Sequence, residues 1–175
     1  MANFVGLLLQ RGTRGVTSST VKEEADRQLV STVNNLVDRA ISRRRYQFRR
    51  AIMAKCRGRL KDLWDRLDIR TLKCDATAVK MFYQALLKDP PSKAKLEKLK
   101  KNKGRKGLMP EDSDMSILSE AMTLKSNNAD LHFISKDGDF TCFANEIEDR
   151  FGVKILAVQD LIQFTIKLES SGSQV

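Results

Sequence analysis

The residues best suited to chemistry in this chain are carboxylates that follow β-prone stretches. Asp137 and Asp139 stand directly after the apolar run Leu131 to Ser135. Glu23 and Glu24 open a helical pattern after the β-prone run Arg14 to Ser18. Asp112 and Asp114 open another. In a parallel sheet covered by helices, such positions gather beyond the carboxyl ends of the strands, where ligands sit. Like charges gathered there repel and raise each other's pKa unless a cation lies among them. An oxygen-only donor set predicts Mg²⁺ or Mn²⁺ rather than zinc. Beside a basic channel, such an ion suits phosphodiester hydrolysis, with metal-bound water as nucleophile. Read singly, each acid is an ordinary helix cap, and residues 136–139 are an ordinary turn. Only their joint placement carries the chemical reading.

The charge is segregated. The chain has 175 residues, with 32 Lys+Arg against 22 Asp+Glu and a formal net charge of +10. From Arg39 to Arg70 there are 12 basic residues against 3 acidic, and from Lys93 to Lys106 there are 8 against 1. From Gly107 onward the balance reverses, with 5 basic against 12 acidic. A field of this kind attracts polyanions by neutralising phosphates and releasing counterions. Nucleic-acid contact is therefore expected at Arg43, Arg44, Arg45, Arg49 and Arg50, and at Lys100, Lys101, Lys103 and Arg105. Basic runs are also often only solvated faces.

The elements that would position these groups are set by periodicity. Residues 3–9 fit a short strand or a helix turn, and Arg14 to Ser18 a β-prone stretch. Ser18, Ser19 and Thr20 offer caps for a helix from about residue 20 to the arginine cluster at 43–45, with Val21, Ala25, Leu29 and Val33 on one face. A second helix is expected over 47–67, weakened by Gly58. Ile69 to Lys73 alternates like a strand. Asp75 or Thr77 caps a helix through Val79, Phe82, Tyr83 and Leu87, which Pro90-Pro91 ends. Residues 90–110 read as a flexible lysine-rich loop. A helix from Asp112, Ser113 or Asp114, a strand at Leu131 to Ser135, a turn, a helix at Phe140 to Arg150 closed by Gly152, a strand at Val153 to Leu156 and a helix at Val158 to Leu168 complete the chain. The alternation predicts an α/β fold with a mostly parallel sheet.

Other classes are disfavoured. Cys56, Cys74 and Cys142 form no CxxC pair and the chain has one His, which excludes a zinc finger and argues against a disulfide scaffold. His132 has no nucleophile pattern beside it. Trp64, Tyr46, Phe48, Phe82 and Tyr83 lie among basic residues, but their helical spacing places most of them in a core. No apolar run is long enough for a transmembrane helix. An intracellular, reducing compartment (cytoplasm, nucleus or organelle matrix) is expected.

The stretch from Asp112 to Phe140 resembles the carboxyl half of a PIN domain, a family of metal-dependent nucleases. Asp114-Met115-Ser116-Ile117-Leu118 matches the family's D-x-x-I-L. Ser135-Lys136-Asp137-Gly138-Asp139-Phe140 matches its strand end S/T-x-D-x-D-F. Val21 and Glu24 fit the family's V-x-x-E, and residues 151–156 fit its last strand. The resemblance covers both ends of the chain and little of residues 30–105. It implies a single domain with a three-layer α/β/α architecture, a basic helical insertion at about 36–70, and the lysine-rich loop at about 90–110. It implies catalytic roles for Glu24, Asp114 and Asp137, and metal ligation by Asp114, Asp137 and Asp139. It also implies RNA or a ribonucleoprotein as partner, with a homodimer or other assembly proteins as further partners. The family's first strand ends in Asp, then a short residue and Asn. Here Asn3 matches the Asn and Met1 stands where the Asp belongs. The resemblance therefore implies either an upstream segment that supplies the Asp or a degenerate member.

Three functions are expected from these features. One is a divalent-metal-dependent ribonuclease. A second is a catalytically degenerate PIN-like component bound to RNA or a ribonucleoprotein. The third is a docking module for an acidic protein.

Overall fold

The computed structural model describes residues 15–39, 45–104, 107–127, 130–157 and 160, with side chains except at 36–39, 45–48 and 103. The expected element at residues 3–9 lies outside the described residues, as does the final helix apart from Asp160. The chain divides into two compact units, Met1–Leu72 and Lys73–Val175.

The first unit runs β1 (Val16–Ser18), α1 (Ser19–Arg39), α2 (Arg45–Trp64) and β2 (Asp68–Arg70). The strands pair in parallel, Val16 opposite Asp68 and Ser18 opposite Arg70. Parallel neighbours need a long crossover, and the two helices supply it. Ser18 Oγ accepts the Val21 N–H at 3.2 Å and caps α1, as its hydroxyl predicts. Helix α1 packs on α2. Ile52, Met53, Cys56, Leu60, Leu63 and Trp64 are the partly buried residues of α2. They recur every three or four positions and so share one face.

The second unit contains α3 (Thr77–Leu86), α4 (Pro90–Lys103), α5 (Asp112–Ser126), β3 (His132–Ser135), α6 (Gly138–Thr141), α7 (Ala144–Phe151) and β4 (Lys154–Ala157). Strands β3 and β4 are parallel, His132 opposite Lys154 and Ser135 opposite Ala157, with α6 and α7 as the crossover. Val79, Tyr83 and Leu86 of α3 meet Leu96, Met115, Leu118, Ala121, Phe140, Phe143, Ile147 and Val153 in one core. Edge-to-face ring pairs join Phe82 to Tyr83 and Phe151, Tyr83 to Phe143, and Phe133 to Phe140. The helix expected at Phe140 to Arg150 is divided into α6 and α7. Gly152, at φ 69°, closes α7 in the left-handed conformation that glycine adopts without strain.

Residues 90–103 are a helix, not the expected loop. Asp89 is the cap, its Oδ2 accepting the Ser92 N–H at 3.0 Å. Pro90 and Pro91 fill the first two positions, where a missing N–H costs nothing, so the pair starts α4 as well as following α3. Ser92, Leu96 and Lys100 are buried at i, i+4 and i+8, and Gly104, at φ 64°, ends the helix. Lysine's helix propensity is high, so a lysine-rich stretch with a cap and a buried stripe folds as a helix.

Mixed helices and short parallel strands make this an α/β chain. Among the described residues the strands form two two-stranded sheets, one in each unit, rather than one central sheet. Among the same residues no helix is long and apolar enough to cross a membrane.

Candidate functional site

Tyr83 of α3 lies against the segment that carries Asp137 and Asp139, two of the expected acids. The spacing of Val79, Tyr83 and Leu86 turns one face of α3 inward, and the Tyr83 ring is 0% exposed. Its hydroxyl donates to the Asp139 carbonyl oxygen at 2.6 Å. Burial first, and then the negative charges of Asp139, Asp114 and Asp137, push the phenol well above its ordinary value of 10.0. Three of the expected carboxylates thus act on one buried group, although Asp114 stands at the start of α5 and the other two follow β3.

Each acid also has a local task. Asp137 caps α6, its Oδ1 accepting the Asp139 N–H at 2.8 Å. The Asp137 N–H donates to Ser135 Oγ at 3.0 Å. Its carbonyl accepts from the Thr141 N–H and hydroxyl, at 2.9 and 3.0 Å. Asp114 Oδ2 accepts the Glu111 N–H at 3.3 Å, one arm of a capping box at the start of α5. Asp112, in the first turn of the same helix, is exposed.

Asp139 is fully buried, and its carboxylate faces Lys100 Nζ at 3.1 Å from Oδ1 and 3.2 Å from Oδ2. This corrects the expectation for Lys100. Lys100 is not on a phosphate-facing surface; it is 2% exposed, and a buried ammonium needs a partner of opposite charge. Asp139 is engaged by that ammonium where a divalent cation was expected. Among the described residues, no group of three or more His, Cys, Asp or Glu is arranged to hold a metal ion.

Glu24 belongs to the first unit. On α1 its carboxylate accepts from Gln28 Nε2 at 2.7 Å and pairs with Arg27, so its partners lie along its own helix. Of the expected phosphate contacts, Arg49, Arg50 and Lys101 are exposed. Arg43, Arg44 and Arg105 lie outside the described residues, as do the side chains of Arg45 in α2 and Lys103 in α4. His132 is half-buried, its Nδ1 3.1 Å from the Asp130 carbonyl oxygen. The three cysteines are free thiols.

Sequence reasoning missed the burial of Lys100, its pairing with Asp139 and the hydrogen bond of Tyr83. The signal for Lys100 is its place on the Ser92–Leu96 stripe. A lysine at a core position of a helix calls for an acid opposite, and Asp139 is the acid on the most apolar flank, beside Phe140. Comparison with protein-family models, characterised proteins and solved structures finds no match to this chain.

Proposed function

We propose that this chain is an RNA-binding, PIN-like protein that has lost nuclease activity and serves as a component of a ribonucleoprotein. One observation carries the binding half of that reading. Helix α2 has no acid before Asp62, while Arg49, Arg50, Lys55, Arg57, Arg59 and Lys61 are all exposed. That density of exposed cationic charge on one helix suits a polyanion. The Lys100–Asp139 pair supports the inactive half, because an internal ammonium stands where the family's metal chemistry needs a divalent ion. The PIN-like reading includes a three-layer α/β/α architecture. The parallel pairing of β1 with β2 and of β3 with β4 is in keeping with it.

The convergence of Asp114, Asp137 and Asp139 on Tyr83 favours a second reading, the active Mg²⁺- or Mn²⁺-dependent ribonuclease. Incubating the purified chain with a labelled RNA that has both hairpin and single-stranded parts separates the two. Metal is supplied against an EDTA control, and binding is followed as salt is raised. The expected result is salt-sensitive binding without metal-dependent cleavage. Cleavage that requires metal and vanishes in Asp137→Asn overturns the inactive reading. Neither binding nor cleavage overturns both, and leaves docking to an acidic protein.

A further inference from the structure

The outer face of α2 has a shape as well as a charge. Ala51, Ala54 and Gly58 are exposed at i, i+3 and i+7, so they form one ridge of the helix. A Cβ built on Gly58 meets nothing within 4 Å. Arg50, Arg57 and Lys61, at i, i+7 and i+11, run along one side of that ridge. Lys55 and Arg59, at i and i+4, run along the other, and Asp62, the one acid of the helix, follows Gly58 at i+4 and closes the carboxyl end of the ridge. The half-buried residues, Ile52, Met53, Cys56, Leu60, Leu63 and Trp64, lie on the opposite face. A smooth ridge of methyl groups and bare backbone is therefore bordered by two rows of long cations.

We infer that this face is a seat for double-stranded RNA, with the ridge lying in the shallow groove and the two basic rows on the phosphate strands at its rims. The inference rests on the RNA-binding reading above and names its substrate class. Three features favour a duplex over a single strand. Two separated cationic rows match two backbones, whereas a single strand offers one. Single-strand platforms stack bases on aromatic rings, and no exposed residue among 49–62 is aromatic. The small ridge also lets the helix backbone approach closely, as a surface read by shape requires. A-form RNA has a wide, shallow minor groove and is recognised there by shape, 2′-hydroxyls and phosphates. From Ala51 to Gly58 the ridge carries no polar side chain to read base edges, so binding by shape and charge is what this stretch supplies. The row from Arg50 to Lys61 extends about 16 Å along the helix, enough to follow several phosphates of one strand.

The test measures affinity of the full chain for a duplex RNA, a single-stranded RNA and a duplex DNA, all of mixed sequence, over a salt series. The duplex RNA should bind tightest. Arg57→Ala on one row and Arg59→Ala on the other should each lower the salt slope by about one. Ala54→Tyr leaves every charge in place but fills the ridge; it should abolish the preference for the duplex. Circular dichroism checks that each exposed-site variant is folded. A single strand bound as well as the duplex, or Ala54→Tyr without effect, overturns the inference and leaves the RNA-binding reading standing. Tighter binding of duplex DNA overturns the assignment to RNA. Binding of none of the three overturns the inference and the reading together.

Discussion

The Lys100 ammonium sits between the two carboxylate oxygens of Asp139, 3.1 and 3.2 Å away, with the lysine 2% and the aspartate 0% exposed. The pair joins α4 to the start of α6, two elements about forty residues apart in sequence. Desolvating two charges offsets much of their attraction, so the pair adds little net stability over an apolar match. Removing one partner is different, since it strands the other charge. Lys100→Met should lower unfolding free energy by about 3 to 5 kcal/mol. Lys100→Met with Asp139→Leu should recover most of that loss. Denaturant unfolding of the two variants and the parent checks this; a double variant no better than the single one would refute the coupling.

Tyr83 makes stability fall in alkali. Its folded pKa is raised from 10.0 by burial and then by Asp139, Asp114 and Asp137. A raised pKa contributes stability that is fully present below the unfolded value and is lost as pH rises above it. Above the ordinary tyrosine range the unfolded chain releases this proton and the folded chain does not. Alkaline titration should therefore show phenolate absorbance from Tyr83 appearing only together with loss of helical signal. In Tyr83→Phe that coupled step should vanish. Complete ionisation of both tyrosines before any unfolding would contradict the buried hydrogen bond to Asp139.

Periodicity and capping chemistry made most elements readable in the sequence. Ser18 before α1 and Gly152 after α7 stand where their residue types predict, and the strands at 132–135 and 154–157 fall within one residue of the expected 131–135 and 153–156. The helix-start places of Asp114 and Asp137 were also legible, since such acids are ordinary caps. What was not legible depended on partners. Pro90-Pro91 reads as a break or as a helix start depending on whether Asp89 caps residues 90–103. Lys100 reads as a surface charge until the helical face it occupies is known. The pairing of short strands into two sheets is a matter of long-range contact, which local pattern does not encode.

Asp89 links the acid side of the pH range to α4. Hydrogen bonding from Ser92, side chain first and backbone N–H second, holds its carboxyl below the ordinary 3.8. A depressed pKa contributes stability that is present above the unfolded value and is lost as pH falls through the folded one. Asp89→Ala should therefore lower the melting temperature at neutral pH, and the difference from the parent should shrink towards zero at about pH 2. Asp89→Asn, which keeps a capping oxygen, should lie between the two at neutral pH. Equal deficits for Asp89→Ala at both pH values would show that the carboxylate is not what starts α4.

Asp137 separates a cap from a catalyst. Its Oδ1 accepts the Asp139 N–H and its backbone anchors Ser135 and Thr141, so it shapes the turn between β3 and α6. Asparagine offers the same acceptor without charge, whereas alanine offers none. Asp137→Asn should leave stability within a few tenths of a kcal/mol of the parent, and Asp137→Ala should cost about 1 kcal/mol. RNA binding should be unchanged in both, because the basic face of α2 is untouched. In a metal-dependent nuclease both variants lose cleavage, and Asp137→Asn does so while keeping the fold, since it removes only the charge that a cation needs. Measuring unfolding, RNA affinity and metal-dependent cleavage on the same two variants therefore distinguishes the roles. A stable Asp137→Asn protein with a specific loss of cleavage would assign Asp137 to catalysis, and unchanged behaviour would assign it to the turn.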